Sequence, residues 1–597
     1  MVLAPLSGLQ HLRPAAMMRP MTDDRAWFAS YPPDVPHSLA PYPKEPLYAL
    51  LRSAVAGFPD RPALAFFGAR MSYATLLKEV ERFSAVLAGL GVKQGDRVGM
   101  ILPNCPEYVI AFFACQRIGA VAVGNNPLYT ERELEHQIKD SGARVMIVLD
   151  QIYARFGEIR DVAGVQEVIG VKLNHYMAAP IKWLAPLKFK SDAKKHGTPI
   201  PFIPEGHRVR WWADLMKQAG PVPPEATIAD PDTEVAALVY TGGTTGLSKG
   251  AMLSHSNLVA NARQASAWLN VVRQGEDGIV AALPFFHSFG TLVMDFSMTK
   301  AAKLILLPRF EIDMALKAMA KEKPTLFPGV PRMYLALNQD PRTPKHDLGS
   351  LKACISGAAP LPMAVAQEFE RITGGAKVVE GYGLTECSPV THANPLVGER
   401  KEGFIGLPLP DTDVKLVDLD EPDREVARGE RGEMCIRGPQ VMLGYWNRPD
   451  ESGLVIRNGW LHTGDVAIMD EDGYFRIVDR IKDMILVSGF NVYPTEVEAV
   501  LYHHPKIFKC AVVGVPDDTT GERVKAFIVL KPGETATAEE ITSWCRDPDQ
   551  GLTGYRVPKE IEFRDELPET LIGKVLRRVL QEEERVKREA GSGTPAP

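Results

Sequence analysis

The chain has 597 residues, of which 45% are apolar, so it exceeds a single ordinary domain and can bury more than one sizeable core. Its net charge of -6, with acidic and basic residues interspersed, excludes the electrostatic footprint of a nucleic-acid binder. Seven scattered cysteines without a C-x-x-C pair argue for a reducing, cytoplasmic setting and against disulfides or a zinc site, and no apolar run nears the roughly 20 residues that span a bilayer.

Residues 1–26 read as a loose Pro/Met-rich extension without a secretory signal pattern. From Trp27 the chain gains pattern. Apolar residues recur at helical spacing over 47–56, 73–90 and 108–118, and strand-length apolar runs occupy 97–102, 121–123 and 145–149. This alternation predicts an α/β fold with a largely parallel sheet. Residues 172–211 break it, with lysines placed around Trp183, Leu184 and Phe189. Pro180 and Pro186 favour an irregular surface insertion. The same basic and aromatic mixture also suits a peripheral membrane contact over 175–190.

A buried-strand run at 235–239 leads into Tyr240-Thr-Gly-Gly-Thr-Thr-Gly-Leu-Ser-Lys249, which reads as a loop leaving the strand end. Gly242, Gly243 and Gly246 let backbone N–H groups turn inward, Thr241, Thr244 and Thr245 add hydroxyls, and Lys249 adds a point charge. Together they make a receptacle for a polyphosphate. It is not a Walker loop, because Ser248 precedes the lysine where glycine is needed and Gly250 follows it where Ser or Thr is needed.

Downstream come a helix over 256–268, a Pro284-Phe-Phe-His287-Ser-Phe-Gly290 run, and two strands ending in glycine turns near 357 and 381. Residues 459–465 and 477–485 carry turn-type and charged patterns. Strands at 510–515 and 524–530 with a helix at 539–546 make a compact α+β module, and 586–597 read as a charged, then Gly/Pro-rich tail.

The ten residues from Tyr240 to Lys249 resemble the phosphate loop of the acyl-adenylate-forming superfamily, and the likeness runs from about residue 31 to 578. Asn126-Pro-Leu-Tyr-Thr-Glu-Arg-Glu-Leu-Glu-His-Gln137, Gly438-Pro-Gln-Val-Met-Leu-Gly-Tyr-Trp446 and residues 476–494 look most like bacterial long-chain fatty acid–CoA ligases. The resemblance implies a large multi-sheet N-terminal domain over 27–480, a hinge at 481–485 centred on Lys482, and a small, mobile α+β C-terminal domain over 486–585.

The resemblance also implies residue roles. Gly357, Ala358, Glu380, Gly381 and Tyr382 would surround adenine, Thr385 would meet the α-phosphate, and Glu386 would hold Mg2+. Asp465 and Arg480 would bind the ribose, and Gly489, Phe490 and Asn491 would meet CoA. Lys574, in Gly573-Lys574, matches the catalytic lysine, although the preceding Glu569-Thr-Leu-Ile572 departs from the usual basic or small polar run. His287 falls in a substrate-pocket motif. No carboxylate lies between Pro284 and Gly290 to pair a substrate ammonium, so a simple carboxylic acid fits better than an amino acid. Fatty acid, ATP and CoA are the expected substrates, with a homodimer admitted. The alternatives are an acyl-AMP ligase serving a carrier protein, a medium-chain or aryl acid–CoA ligase, and a non-catalytic scaffold.

Overall fold

The computed structural model describes residues 25–196, 209–241, 248–517, 519–547, 552, 554–569 and 575–591. Its first sheet has seven strands in the order Arg210–Trp211, Glu167–Val171, Val145–Leu149, Arg97–Ile101, Val121–Gly124, Val235–Thr241 and Lys249–Ser254, parallel until the last pair. The second has nine strands. Its six central members, from Lys377–Gly383 to Pro62–Phe66, are parallel, and antiparallel strands close both edges.

Strands buried on both faces read as continuous apolar runs, and Val145–Leu149 is buried at every position. The helix Pro106–Arg117, apolar from Val109 to Cys115, is likewise buried throughout. Asn104 ties the two sheets together. Its Nδ2 donates to the carbonyls of Ala281 (2.9 Å) and Leu283 (2.8 Å), and its Oδ1 accepts from Phe285 N (2.9 Å).

A third, antiparallel sheet of five strands spans Asp413–Val417 to Phe475–Arg480. The last sheet, Ile485–Val487 through Glu560–Phe563, has a separate core around Val497, Leu501, Val512, Ile528 and Ile541. The expected class is therefore found: a multi-sheet α/β body followed by a small α+β unit.

Three local expectations need correction. The 172–211 insertion contains a helix, Ile181–His196, with Pro186 inside it. Proline there removes the N–H that would bond the carbonyl of Lys182, and Asn174 Nδ2 donates to that carbonyl at 2.8 Å instead. Lys249 does not stand in a loop: it opens the returning strand Lys249–Ser254, directly opposite Thr241. The charged start of the tail is the end of a helix, Arg577–Gly591, where Lys587 pairs with Glu562 (2.9 Å) and Glu584 (2.7 Å).

Candidate active site

Parallel strands end together at one edge of the nine-stranded sheet, which is where open α/β sheets bind ligands. Ser356 pairs with Glu380, so Gly357, just past the end of its strand, lies beside Gly381, which is still within the strand Lys377–Gly383 and not in the turn expected there. A Cβ on Gly357 would stand 2.8 Å from Phe289 Cε1, so any larger residue would have to displace that ring. Ala358 follows with φ of +68°, turning the chain sharply. Glu380 Oε2 accepts from Leu361 N at 3.2 Å, and burial pushes its carboxyl up to about 8.

The His287 motif reaches the same place. The ring caps the helix Ser288–Thr299, its Nδ1 accepting from Phe289 N at 3.2 Å, and burial lowers its pKa to about 4, so it is a neutral imidazole. Ser288 Oγ lies 3.2 Å from Thr385 Oγ1. Four stretches read separately in the sequence, around 287, 357, 381 and 385, therefore converge.

A second cluster forms beside them. Tyr445 OH donates to Glu386 Oε1 at 2.7 Å, and Lys249 Nζ lies 4.7 Å from the Tyr445 ring centre. Lys249 pairs with Glu451 at 2.7 Å. Pairing of Ala251 with Tyr445, Met252 N to Gly444 O (2.9 Å) and Trp446 N to Gly250 O (2.8 Å) splices the Gly438–Trp446 stretch onto the lysine strand. Tyr445 sits in a quoted motif without an assigned role; nothing in the chain order points to Glu451.

Asp465 and Arg480 are cross-strand partners in the third sheet, joined at 3.0 Å. Tyr382 OH donates to the other oxygen of Asp465, which links the strand Lys377–Gly383 to the Asp465–Arg480 pair. Lys482 lies in the turn Ile481–Asp483 between the third sheet and the small unit, its pKa lowered by burial and by Arg480.

In the small unit Ser488 and Gly489 form a hairpin turn, and Phe490 and Asn491 open the returning strand. Ser488 and Gly489 both have positive φ (+52° and +83°), and Phe490 is 57% exposed and stacks on Tyr555 at 4.9 Å. Gly242, Gly243, Thr244, Thr245, Gly246 and Lys574 lie outside the described residues. The flanks of the lysine segment are placed: Glu569 pairs with Lys509 (2.5 Å) and stands 3.9 Å from Arg332 of the large body. A cavity of about 420 Å³ elsewhere, bounded by Phe66, Met71, Tyr176 and Met216, shares no residue with these clusters.

The AMP-binding enzyme family matches residues 51–446, and the AMP-binding enzyme C-terminal domain matches residues 496–574. A long-chain-fatty-acid–CoA ligase of Bacillus subtilis is 43% identical over 565 residues, covering 94% of this chain and 99% of the relative. One from Escherichia coli O157:H7 is 40% identical over 578 residues, with the same coverage of 94% and 99%. Among solved structures, the anthranilate CoA ligase AuaEII in complex with anthranoyl-AMP superposes with a TM-score of 0.77 at 28% identity, covering 92% of this chain and 99% of that one. Two family matches and relatives aligned almost end to end show that the chain belongs to the AMP-binding, acyl-adenylate-forming enzymes, among the long-chain-fatty-acid–CoA ligases.

Proposed function

We propose that the protein joins a long-chain fatty acid to CoA in two steps on one site, through acyl-AMP and pyrophosphate, then acyl-CoA and AMP. The observation that carries this reading is the convergence of the Gly357–Gly381 edge, the Thr385–Glu386 turn, Lys249 and the Asp465–Arg480 pair. The AuaEII relative was solved with an acyl-AMP, which supports the same intermediate here.

A carboxylate attacking the α-phosphate approaches a polyanion, and one unit-charge pair at 4 Å opposes it by about 4 kcal/mol at an effective dielectric of 20. Lys249 supplies one compensating charge, and Lys574 is assigned the other. Glu386 suits a magnesium ligand: one oxygen accepts from Tyr445, and the other accepts no hydrogen bond among the described residues. When bound, Mg2+ would neutralise phosphate charge. Asp465 and Arg480 would hold the ribose hydroxyls, and neutral His287 keeps fixed negative charge away from the carboxylate substrate. Lys482 is assigned as the hinge about which the small unit presents first Lys574 and then the Gly489 turn.

The deciding experiment measures AMP and thioester across acids from short to long, plus aromatic acids, with and without CoA. A long-chain optimum with CoA-dependent thioester is expected. Acyl-AMP accumulation without thioester would favour the carrier-protein reading, and no pyrophosphate from any acid would defeat both.

A membrane-surface role for the 181–188 stretch has its own support. Trp183 is 72% exposed, Leu184 58% and Leu187 67%, with Lys182 and Lys188 beside them. Among the described residues no helix is long and apolar enough to cross a membrane, so the contact would be peripheral. Co-sedimentation with anionic liposomes tests it: Trp183→Ala with Lys188→Ala should cut the bound fraction severalfold, and an unchanged fraction counts against the contact.

A further inference from the structure

The third sheet gathers a donor set that the spacing of cysteines along the chain does not reveal. Cys435 pairs across the sheet with His462, so their side chains stand on one face, and Glu433, two residues before Cys435, rises on the same face. His462 Nδ1 lies 3.4 Å from Cys435 Sγ and 2.8 Å from Glu433 Oε2. One ligating atom from each residue falls within 4.8 Å of the others, an arrangement found once among the described residues.

Within the triad, hydrogen bonding leaves His462 Nδ1 shared between two neighbours. The imidazole Nδ1 carries at most one proton and faces two neighbours, a thiol and a carboxylate. The thiol's other hydrogen-bond contact is a long one, 3.9 Å to the Glu433 carbonyl. A single cation in place of the shared proton satisfies all three groups together. Tetrahedral zinc with its usual bond lengths needs ligand atoms about 3.3–3.6 Å apart. The S–N separation is already there, and the N–O separation must open by about half an ångström. Glu433 is held for this by its other oxygen, which accepts from Gly464 N at 3.1 Å. The side chains of His462 and Glu433 keep 9% and 11% of their surface open, which gives an entry path, whereas Cys435 is fully buried.

We propose that Glu433, Cys435 and His462 form a binding site for a borderline-soft divalent cation of the zinc class, distinct from the magnesium assigned to Glu386. Three protein ligands leave the fourth position to water. Binding converts the thiol to thiolate and releases its proton to solvent; no redox change is involved. The hard-ion preference of Mg2+ makes it a poor competitor here.

The test titrates the full-length protein with Co2+ in the absence of nucleotide. One equivalent per chain should produce a thiolate-to-cobalt charge-transfer band, removed by Zn2+ and unaffected by excess Mg2+. Cys435→Ser should abolish the band, and Glu433→Gln or His462→Gln should weaken Co2+ binding at least tenfold. No band in the wild-type protein, or a band unchanged in Cys435→Ser, overturns the site. If Cys435→Ser does not fold, unchanged affinity in both other variants overturns it equally.

Discussion

Lys249 and Glu451 stand 202 positions apart in the chain and form an ion pair of 2.7 Å at the edge of the Glu386–Tyr445 cluster. The lysine side chain is 18% exposed and the glutamate 38%, so the pair is reachable by solvent and by an incoming anion. On the proposed function, a polyphosphate would have to draw the ammonium away from this carboxylate before it gains the charge.

Glu451→Gln removes that competitor while keeping the side-chain volume. Pairs exposed to this degree are worth a few tenths to about 1 kcal/mol, so KM for ATP should fall roughly two- to fivefold with little change in kcat. Steady-state pyrophosphate release reads this directly; a higher KM would mean that Glu451 positions the lysine instead of restraining it.

Lys574→Ala should slow acyl-AMP formation by about 10²-fold or more, the usual effect of losing one preorganised charge from a phosphoryl-transfer site. Thioester formation from supplied acyl-AMP should persist near the wild-type rate. Equal loss in both half-reactions would remove the division of labour between the lysine segment and the Gly489 turn.

Arg577 knots the small unit to the strand that ends the large one. It meets Glu498 at 2.6 Å, Asp483 at 3.3 Å, Asp479 at 3.4 Å and Thr495 Oγ1 at 3.2 Å. Removing one member of a buried charge cluster leaves the others uncompensated, at a cost of about 3–5 kcal/mol. Arg577→Met should therefore lower Tm by several degrees, and Glu498→Gln added to it should recover part of the loss. A neutral single variant in thermal unfolding would contradict this.

Glu107 is fully buried on the helix Pro106–Arg117, and among the described residues neither carboxylate oxygen has a hydrogen-bond partner of good geometry, the Cys105 thiol being its polar neighbour. Burial pushes its pKa up to about 8. A folded value above the unfolded one means that the stability contributed by the protonated form is full below about 4.5 and lost as pH rises through about 8. Glu107→Gln should thus raise Tm relative to wild type at pH 9, by an amount equivalent to a few kcal/mol, and much less at pH 5. Differential scanning calorimetry at the two pH values checks the sign.

Much of the fold could be read from the chain because one force acts locally in it. Strands buried on both faces, such as Val145–Leu149, are apolar at every position, and Tyr73–Gly89 shows its helical period in the order of its residues. The Pro186 helix could not be read this way, since the donor that replaces the missing N–H is Asn174, outside the helix. The chain order puts Lys249 in a loop, whereas it opens a strand that exists only through pairing with Thr241.

The site divides along the same line. By itself the sequence determined the enzyme family, through motifs that resemble the acyl-adenylate-forming superfamily, and which side chains carry charge: Gly357, Glu386, Asp465 and Arg480 all stand in such motifs. Tertiary structure alone decided which of them touch, and it added Tyr445, Glu451 and the Glu433–Cys435–His462 triad. Short-range propensity is written into neighbouring residues, whereas a contact across sheets depends on how strands hundreds of residues apart are brought into register, and that is set by burial of the whole core.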